Sequence, residues 1–311
     1  EGVPTCPATP AYSLCDLVFE MNDQDAAAHP NPYLTVKLHA EFRSPRHRTF
    51  LMPAFWTGGR KLVIRFAPDE PGDWAFRLTS NIDRFNDKEG AFQSTPSEVP
   101  GYVRPANLHH WATLRGENVN MRKQHLWMGD TCLRFAFLTD AEFRQVADTR
   151  AAQHFTHLRG LLIGGAADSP AVYADADHPA FDYFQRVDDR IRYLNSKGIV
   201  ADLIVAGKQN HLTRLFPNWD QRQRYIRYIV ARYSAMNVTW QGIEEFESYD
   251  NGRELLKEIG TLLKQNDPYL HPRSTDTRAT SAALAGDGWM NFITHGSGDD
   301  QIGAIEHQLY P

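Results

Sequence analysis

Three carboxylates stand close together in residues 240–247, whose sequence is WQGIEEFE, at the end of a short apolar run. Hydrolysis of a glycosidic bond needs one carboxylic acid to protonate the leaving oxygen and a second carboxylate to act as nucleophile or base. Repulsion between Glu244 and Glu245 would raise the proton affinity of one of them, as an acid catalyst near neutral pH requires. The alternative is structural, because these glutamates could also begin a solvated loop or cap the next helix. Glu244 and Glu245 are therefore the candidate catalytic residues.

Polar side chains also follow the other apolar runs of the second half of the chain. They are Asp130 after the first run, Lys208, Asn210 and His211 after the third, Asp276 after the fifth and His295 after the sixth. Because the active sites of parallel α/β folds collect at the carboxyl ends of the strands, these side chains are candidate contacts for sugar hydroxyls. Each is also an ordinary residue type for a surface loop or a strand-to-helix turn.

Signals for other chemistries are weak. His154 and His157 are the only obvious histidine pair on one predicted helix, and no third ligand stands nearby. Residues 295–298 (HGSG) lack the Gly-x-Ser-x-Gly spacing of a nucleophile elbow. No glycine-rich phosphate motif opens a predicted helix. The sequence therefore predicts neither a metal nor another cofactor.

The predicted secondary structure that positions the candidate residues changes along the chain, from strands alone to strands that alternate with helices. Apolar and polar residues alternate in residues 34–42, 62–66 and 74–78, as in half-buried strands. Further strands are expected near residues 13–21 and 48–55. With no helical period among them, these segments predict a small antiparallel β-sandwich over residues 1–104. Residues 95–110, with three prolines and a glycine, are the expected linker.

Beyond the linker, apolar runs alternate with amphipathic stretches at roughly 35 residues per unit, which predicts parallel βαβ units. Strands are expected at residues 125–128, 158–163, 199–206 and 238–243, and weaker ones near Ser274 and Phe292. Helices are expected after Thr139 and over residues 184–194, 220–236 and 255–263. A doubly wound sheet and a (β/α)8 TIM-type barrel both fit, and the missing dinucleotide motif favours a barrel over residues 105–311.

The net charge and the apolar content of the chain limit the kinds of molecule that it is expected to bind. The 311-residue chain has a formal net charge of −5 and no long apolar run, so neither a nucleic-acid surface nor a membrane span is expected. A carbohydrate is the expected partner, and the sequence does not predict the oligomeric state. The start at Glu1 fits either a removed export signal or a trimmed chain, and we expect a secreted or periplasmic bacterial protein. Pairing of Cys6 with Cys15 stays open at this stage.

Several motifs resemble a known family. Residues 31–33 (NPY), 55–59 (FWTGG), 65–68 (RFAP) and 71–74 (PGDW) resemble the immunoglobulin-like domain that precedes certain bacterial glycoside hydrolase barrels. Residues 129–131 (GDT) resemble the end of the first strand in apiosidase-like (β/α)8 glycoside hydrolases. The resemblance covers essentially the whole chain and implies a multidomain β plus α/β protein.

The resemblance also implies roles for the glutamates. In the related clan of retaining barrel glycosidases, the fourth strand ends in Asn-Glu, and this glutamate is the general acid/base. The match places Glu245 at that position and Glu244 where asparagine is usual, so either glutamate remains a candidate acid. The clan's nucleophile follows the seventh strand, but only six units precede Pro311. Either the chain is a fragment or the barrel is incomplete, and Glu306 is a weak substitute.

The leading hypothesis is a retaining glycosidase that acts on a plant or microbial polysaccharide or oligosaccharide. The rival is a carbohydrate-binding or surface-assembly protein whose degenerate barrel has no activity. A doubly wound protein with a small ligand is the third reading, and it would require a reversal of strand order.

Overall fold

Two β-sheets pack against each other in the N-terminal part of the chain. One contains β1 (Thr9–Pro10), β3 (Leu38–Arg43), β4 (Thr49–Pro53), β7 (Gly72–Ser80) and β8 (Glu89–Thr95), in the order β1–β8–β7–β3–β4. The other contains β2 (Cys15–Glu20), β5 (Phe55–Trp56) and β6 (Lys61–Phe66), in the order β2–β6–β5. The computed structural model describes residues 2–107, 110–115 and 118–310.

Aromatic side chains fill the space between the two sheets. Phe42 of β3 stacks on Phe66 of β6 with ring centroids 3.8 Å apart, and Trp74 is 1% exposed. All the strand pairs of these sheets are antiparallel except β1 with β8. Cys6 and Cys15, whose pairing the sequence leaves open, form a disulfide. The immunoglobulin-like assignment stays a prediction.

Two sequence predictions fail in this region. The strand expected from residue 34 begins only at Leu38, because α2 (Pro32–Thr35) forms first with proline at the start of its first turn. The expected linker contains β9 (Pro100–Pro105), which forms an antiparallel sheet with β10 (Trp111–Arg115) and β11 (Asn118–His125). The two prolines occupy the ends of β9, where a missing amide is tolerated. The boundary expected at residue 104 thus falls inside a strand.

Five parallel strands form the sheet that carries the candidate site. They are β12 (Gly129–Thr131), β13 (His157–Leu161), β16 (Val200–Ala206), β17 (Val238–Ile243) and β18 (Arg273–Ser274), paired in this order. The order along the sheet follows the order along the chain, as in a barrel. Within the described residues this sheet shows no reversal of strand order, which argues against a doubly wound fold.

Helices cover the outer face of the parallel sheet. The long ones are α3 (Asp140–Ala152), α5 (Phe181–Ser196), α7 (Trp219–Tyr233) and α8 (Gly252–Asn266). Shorter elements are α1 (Asp23–Ala28), α4 (Ser169–Val172), β14 (Tyr173–Asp175), β15 (His178–Pro179), α6 (His211–Leu215) and α9 (Asp300–Leu309). Among the described residues, no helix has the length and apolarity needed to cross a bilayer.

The first and last predicted strands of this half are wrong. Residues 125–128 do not begin the parallel sheet, since His125 ends β11 and the first parallel strand starts at Gly129. No strand forms around Phe292, where the backbone makes a single bridge between Thr280 and His295. There the Asn291 amide donates to the Arg273 carbonyl and the Ser281 amide donates to the Thr294 carbonyl. The return bonds, from the Arg273 amide and the Thr294 amide, go to the side chains of Asn291 and Ser281, so no regular ladder forms.

A buried ionic cluster joins the N-terminal sheets to the helices. Arg65 of β6 contacts Asp16 at 2.9 Å and Asp188 of α5 at 3.1 Å. Arg232 of α7 contacts the same Asp188 at 2.6 Å, and Arg192 of α5 contacts Asp16 at 3.0 Å. Asp188, Arg65 and Arg232 are each at least 95% buried, so each charge depends on the others for compensation.

Candidate active site

The strand β17 ends directly before Glu244, Glu245 and Glu247, which therefore lie at the carboxyl edge of the parallel sheet. All six residues of β17 are buried, and the amide of Glu244 still bonds to the Ala206 carbonyl at the end of β16. The chain then turns sharply at Glu245, whose φ and ψ are 43° and 67°. This left-handed conformation is unfavourable for glutamate, and such backbone strain concentrates at functional sites.

Glu244 and Glu247 anchor the backbones of the two neighbouring loops. Glu244 is 7% exposed, and its Oε2 accepts a hydrogen bond from the Lys208 amide at 3.0 Å in the loop after β16. Glu247 accepts bonds from the Thr277 hydroxyl and from the Arg278 amide at 3.1 Å in the loop after β18. Burial favours the neutral form of Glu247, but these hydrogen bonds outweigh it and lower the pKa.

Glu245 differs from its neighbours because its carboxylate is held by cationic side chains and not by the backbone amides of the neighbouring loops. Oε1 lies 3.1 Å from Nζ of Lys208 and Oε2 lies 3.0 Å from Nε of Arg278. The side chain is 28% exposed. Burial favours its neutral form, yet hydrogen bonds from Lys208 and Arg278 prevail and lower the pKa. Glu245 is therefore ionised in the free protein at neutral pH, whereas Glu247 is the more exposed residue but its carboxylate is held by backbone amides.

Asp276 lies beside Glu245 at the end of β18. Its Oδ2 accepts a bond from the Glu245 amide at 3.1 Å, and its Oδ1 lies 3.2 Å from Nη1 of Arg159. Burial raises the pKa of Asp276 and outweighs the positive charge of Arg159. The backbone bond fixes Asp276 against the turn that presents Glu245.

The residues that support this edge from inside the sheet were missed by sequence reasoning. Nε of Arg159 lies 2.7 Å from Oδ2 of Asp202, and Oδ1 of Asp202 accepts bonds from the Thr239 hydroxyl and the Gln241 amide group. Arg159 and Asp202 occur within apolar runs whose pattern predicts only strands. A charged residue on the inner face of a buried strand is the signal that could have identified them.

The polar residues predicted after the third strand have different surroundings. Lys208 contacts Glu245, and Asn210 pairs with Asp250 through a 3.0 Å bond from its amide nitrogen. His211 is 1% exposed and accepts a bond from the Gly207 amide at Nδ1. Its proton must then sit on Nε2, which donates to the Ser169 hydroxyl at 2.7 Å. In this tautomer His211 cannot take a proton from Ser169, so the pair is not an activated serine nucleophile.

Asp130 and His295 do not join the cluster. In β12 the side chain of Asp130 points to the opposite face of the sheet from its neighbour Thr131. Its carboxylate pairs with Arg150 of α3 at 2.5 Å on the face that the helices cover. His295 pairs with Glu306 of α9 at 3.1 Å. The structure thus groups Glu244, Glu245, Lys208 and Asp276 and separates the other two. In the described residues, no set of three His, Cys, Asp or Glu side chains could hold a metal ion.

Replacing Lys208 by glutamine is expected to raise the pKa of Glu245, because one of its two cationic partners is lost. If Glu245 is an acid catalyst, activity requires its protonated form and falls as pH rises through that pKa. The alkaline limb of kcat/KM should therefore move to higher pH. A ¹³C NMR titration of the glutamate carboxyls measures the same shift without any turnover.

The matched control for this variant is Lys197→Gln, which removes a lysine that pairs with Asp148 at 2.9 Å on the helical surface. It should leave the titration of Glu245 unchanged. An unshifted carboxyl titration in Lys208→Gln would show that this ion pair does not set the protonation of Glu245.

The buried His211 should make folding sensitive to acid. Burial lowers its pKa to about 4, while in the unfolded chain it titrates near 6.5. Its contribution to stability is therefore complete above about pH 6.5 and is lost as pH falls towards 4, by up to about 3 kcal/mol. Burial also lowers the pKa of His157, to about 3, so both residues add to the acid sensitivity.

Urea denaturation between pH 4 and pH 7 tests the role of His211. His211→Asn keeps an acceptor near the Gly207 amide but removes the titration, so its free energy of unfolding should fall less between the two pH values. His154→Asn is the control, since His154 is exposed and already has a left-handed φ of 63° that asparagine tolerates. Equal pH slopes in wild type and His211→Asn would contradict the assignment.

Comparison with known families finds two matches along the chain. The family described as apiosidase-like, catalytic domain, matches residues 119–310. A domain of unknown function, DUF5060, matches residues 8–81. No curated protein matches the chain.

The chain also resembles solved structures. A candidate glycoside hydrolase from Bacteroides vulgatus ATCC 8482 is 21% identical with a TM-score of 0.72, over 87% of this chain and 56% of that one. A family 5 glycoside hydrolase from the same organism is 16% identical with a TM-score of 0.49, over 62% and 44% of the two chains. The first likeness shows a shared fold, and this chain spans little more than half of that relative.

Proposed function

Since the chain belongs to the family of apiosidase-like catalytic domains, we propose that it is a glycoside hydrolase in which Glu245 transfers the proton. The observation that carries this proposal is the placement of the Glu245 carboxylate. It lies past the end of the fourth parallel strand, is 28% exposed and contacts two cationic side chains, Lys208 and Arg278. Glu244 and Glu247 are less available, because their carboxylates hold backbone amides of the neighbouring loops.

The acid step needs a proton on Glu245, whereas Lys208 and Arg278 keep it ionised in the free protein. A sugar bound across the strand ends displaces these cations and excludes water, and both changes raise the pKa of the carboxyl. Glu245 then protonates the leaving glycosidic oxygen. In a retaining reaction a second carboxylate, which is not assigned here, bonds to the anomeric carbon as the glycosidic bond breaks. The Glu245 carboxylate then takes a proton from the water that hydrolyses this ester and releases the sugar.

The substrate in this proposal is a plant or microbial polysaccharide or oligosaccharide. Lys208, Asn210 and Asp276 lie on the loops around Glu245 and remain proposed contacts for sugar hydroxyls. His211 acts indirectly, since it is buried and supports the loop through the Gly207 amide. Asp130 and His295 are not part of the proposed subsite, because they pair with Arg150 and Glu306 elsewhere.

A carbohydrate-binding protein without activity is the second candidate. It is favoured by Glu244, which occupies the position where the related glycosidases have asparagine and whose Oε2 is bonded to the loop backbone. Such a protein would keep the sugar contacts and lack turnover.

A panel of soluble polysaccharides separates the two candidates. The intact chain is incubated with each polymer, released reducing ends are measured, and binding is followed by affinity electrophoresis. Release of reducing sugar supports the hydrolase, and retardation without release supports the binding protein. A chain that neither cleaves nor binds any polymer of the panel would contradict both.

We also propose a secreted or periplasmic location in a bacterium. The Cys6–Cys15 disulfide supports this placement, because disulfides persist mainly in oxidising compartments. Cell fractionation of the native source tests it, and recovery in the cytoplasmic fraction with both thiols free would overturn it.

A further inference from the structure

A second concave surface lies away from the strand ends. This side groove has a volume of about 1080 Å³ and runs between the N-terminal strands β4 and β5 on one side and helix α7 with the end of α8 on the other. Residues 32–39 close one flank. Glu244, Glu245, Lys208 and Asp276 do not line it, so the side groove is separate from the candidate active site.

The side groove has an apolar surface. Leu34 is 42% exposed and Leu51 is 53% exposed, and both line the groove. Trp56 is half-buried beside them, and its orientation is fixed by a 3.0 Å bond from its indole nitrogen to the Gly59 carbonyl. Exposed apolar side chains grouped on one surface mark a binding site, and here they offer contact area to the C–H groups of a ligand.

The charged residues of the side groove are predominantly cationic. The ammonium of Lys37 and the guanidinium of Arg227 are exposed and have no hydrogen bond or ion pair within the described part of the chain. Arg224 also lines the groove and pairs with Asp177, which lies outside it. Asp220 is the single carboxylate among the lining residues. A cationic groove on a chain of net charge −5 favours an anionic ligand.

The backbone around these cations is already ordered. The Lys37 amide donates to Oδ1 of Asn81 at 2.8 Å, and the Asn81 amide group donates to the Thr35 carbonyl at 2.9 Å. Across the groove, the Tyr228 hydroxyl donates to the Trp56 carbonyl at 3.1 Å. The walls are thus fixed to each other before a ligand arrives, which lowers the entropic cost of binding.

We propose that the side groove binds a stretch of acidic polysaccharide, with uronate carboxylates on Lys37 and Arg227 and sugar-ring faces on Leu34 and Leu51. The choice of a carbohydrate rests on the proposed function, whereas the negative charge follows from the groove itself. A neutral glycan would leave both cations unpaired. An acidic peptide would also satisfy the charges, and we choose the carbohydrate because the chain belongs to the apiosidase-like family.

Calorimetric titration with oligomannuronate tests the proposal, and a manno-oligosaccharide of the same linkage and length is the matched neutral ligand. The acid should bind and the neutral sugar should bind at least about fivefold more weakly. The double variant Lys37→Gln/Arg227→Gln should weaken acid binding about five- to tenfold, and 0.5 M salt should weaken it further.

The control variant Lys88→Gln/Arg186→Gln removes the same two charges at exposed positions outside the side groove. It should bind like the wild type. The proposal is overturned if oligomannuronate does not bind, if the two double variants bind equally, or if the neutral sugar binds as tightly as the acid. Tighter binding of an acidic peptide at the same residues would overturn the assignment of a carbohydrate.

Binding by calorimetry does not depend on turnover, so the two proposals fail separately. If the chain binds oligomannuronate through Lys37 and Arg227 but cleaves nothing, the proposed binding site is supported and the proposed hydrolase activity is contradicted. If the chain cleaves a glycoside but does not bind oligomannuronate, the hydrolase activity is supported and the proposed binding site is contradicted.

Discussion

Glu245→Gln should lower kcat for a glycoside with a poor leaving group by about 10²–10⁴-fold, the range that general acid–base catalysis contributes. Glutamine keeps the size of the side chain but carries no transferable proton. The other glutamates cannot substitute, because Glu244 and Glu247 hold the amides of Lys208 and Arg278. Initial rates of release of reducing sugar measure the loss.

The fold of this variant must be shown to persist. Far-ultraviolet circular dichroism and the urea midpoint should change little, since Glu245 is partly exposed and its ion pairs with Lys208 and Arg278 are at the surface. Glu254→Gln on α8 is the control for loss of a surface glutamate and should retain wild-type rates. Full activity in Glu245→Gln would exclude Glu245 as the proton donor.

The second large effect is expected at the ionic cluster between the sheets and the helices. Asp188→Asn leaves the buried guanidinium groups of Arg65 and Arg232 without one compensating charge. Breaking a buried ion pair from one side costs about 3–5 kcal/mol of unfolding free energy. Because Asp188 contacts both Arg65 of β6 and Arg232 of α7, the N-terminal sheets and the helices should be destabilised together.

Urea denaturation followed by tryptophan fluorescence and by far-ultraviolet circular dichroism measures this loss. The control is Asp87→Asn, which removes the partner of Arg77 in a pair whose side chains are 66% and 60% exposed. It should change the unfolding free energy by less than about 1 kcal/mol. A similarly small change in Asp188→Asn would show that the cluster does not hold the two parts together.

The sequence correctly predicts the helices and strands whose formation depends on residues close to each other in the chain. The helix expected after Thr139 is α3, and Thr139 and Glu142 form a capping box at its start. The alternating and continuous apolar runs correctly located the buried strands β16 and β17. These features follow from spacing within a few residues, so the sequence alone is sufficient.

The errors occurred where distant contacts decide the structure. The prolines of β9 predict a linker, but pairing with β10 stabilises the segment as a strand. Asp130 was placed in the sugar site because it follows an apolar run, but strand alternation turns it towards Arg150. The different surroundings of Glu244 and Glu245 arise from the left-handed turn at Glu245, which no local pattern reveals.

The central claim is that Glu245 transfers the proton to the leaving oxygen, and leaving-group dependence in Glu245→Ala tests it most directly. Hydrolysis rates are compared for two aryl glycosides of the same sugar, one with an activated and one with a poor leaving group. An activated leaving group departs without protonation. The account predicts that Glu245→Ala retains bond cleavage for the activated substrate and loses it for the poor one by about 10²-fold or more. Equal loss on both substrates, or no loss on either, would contradict it.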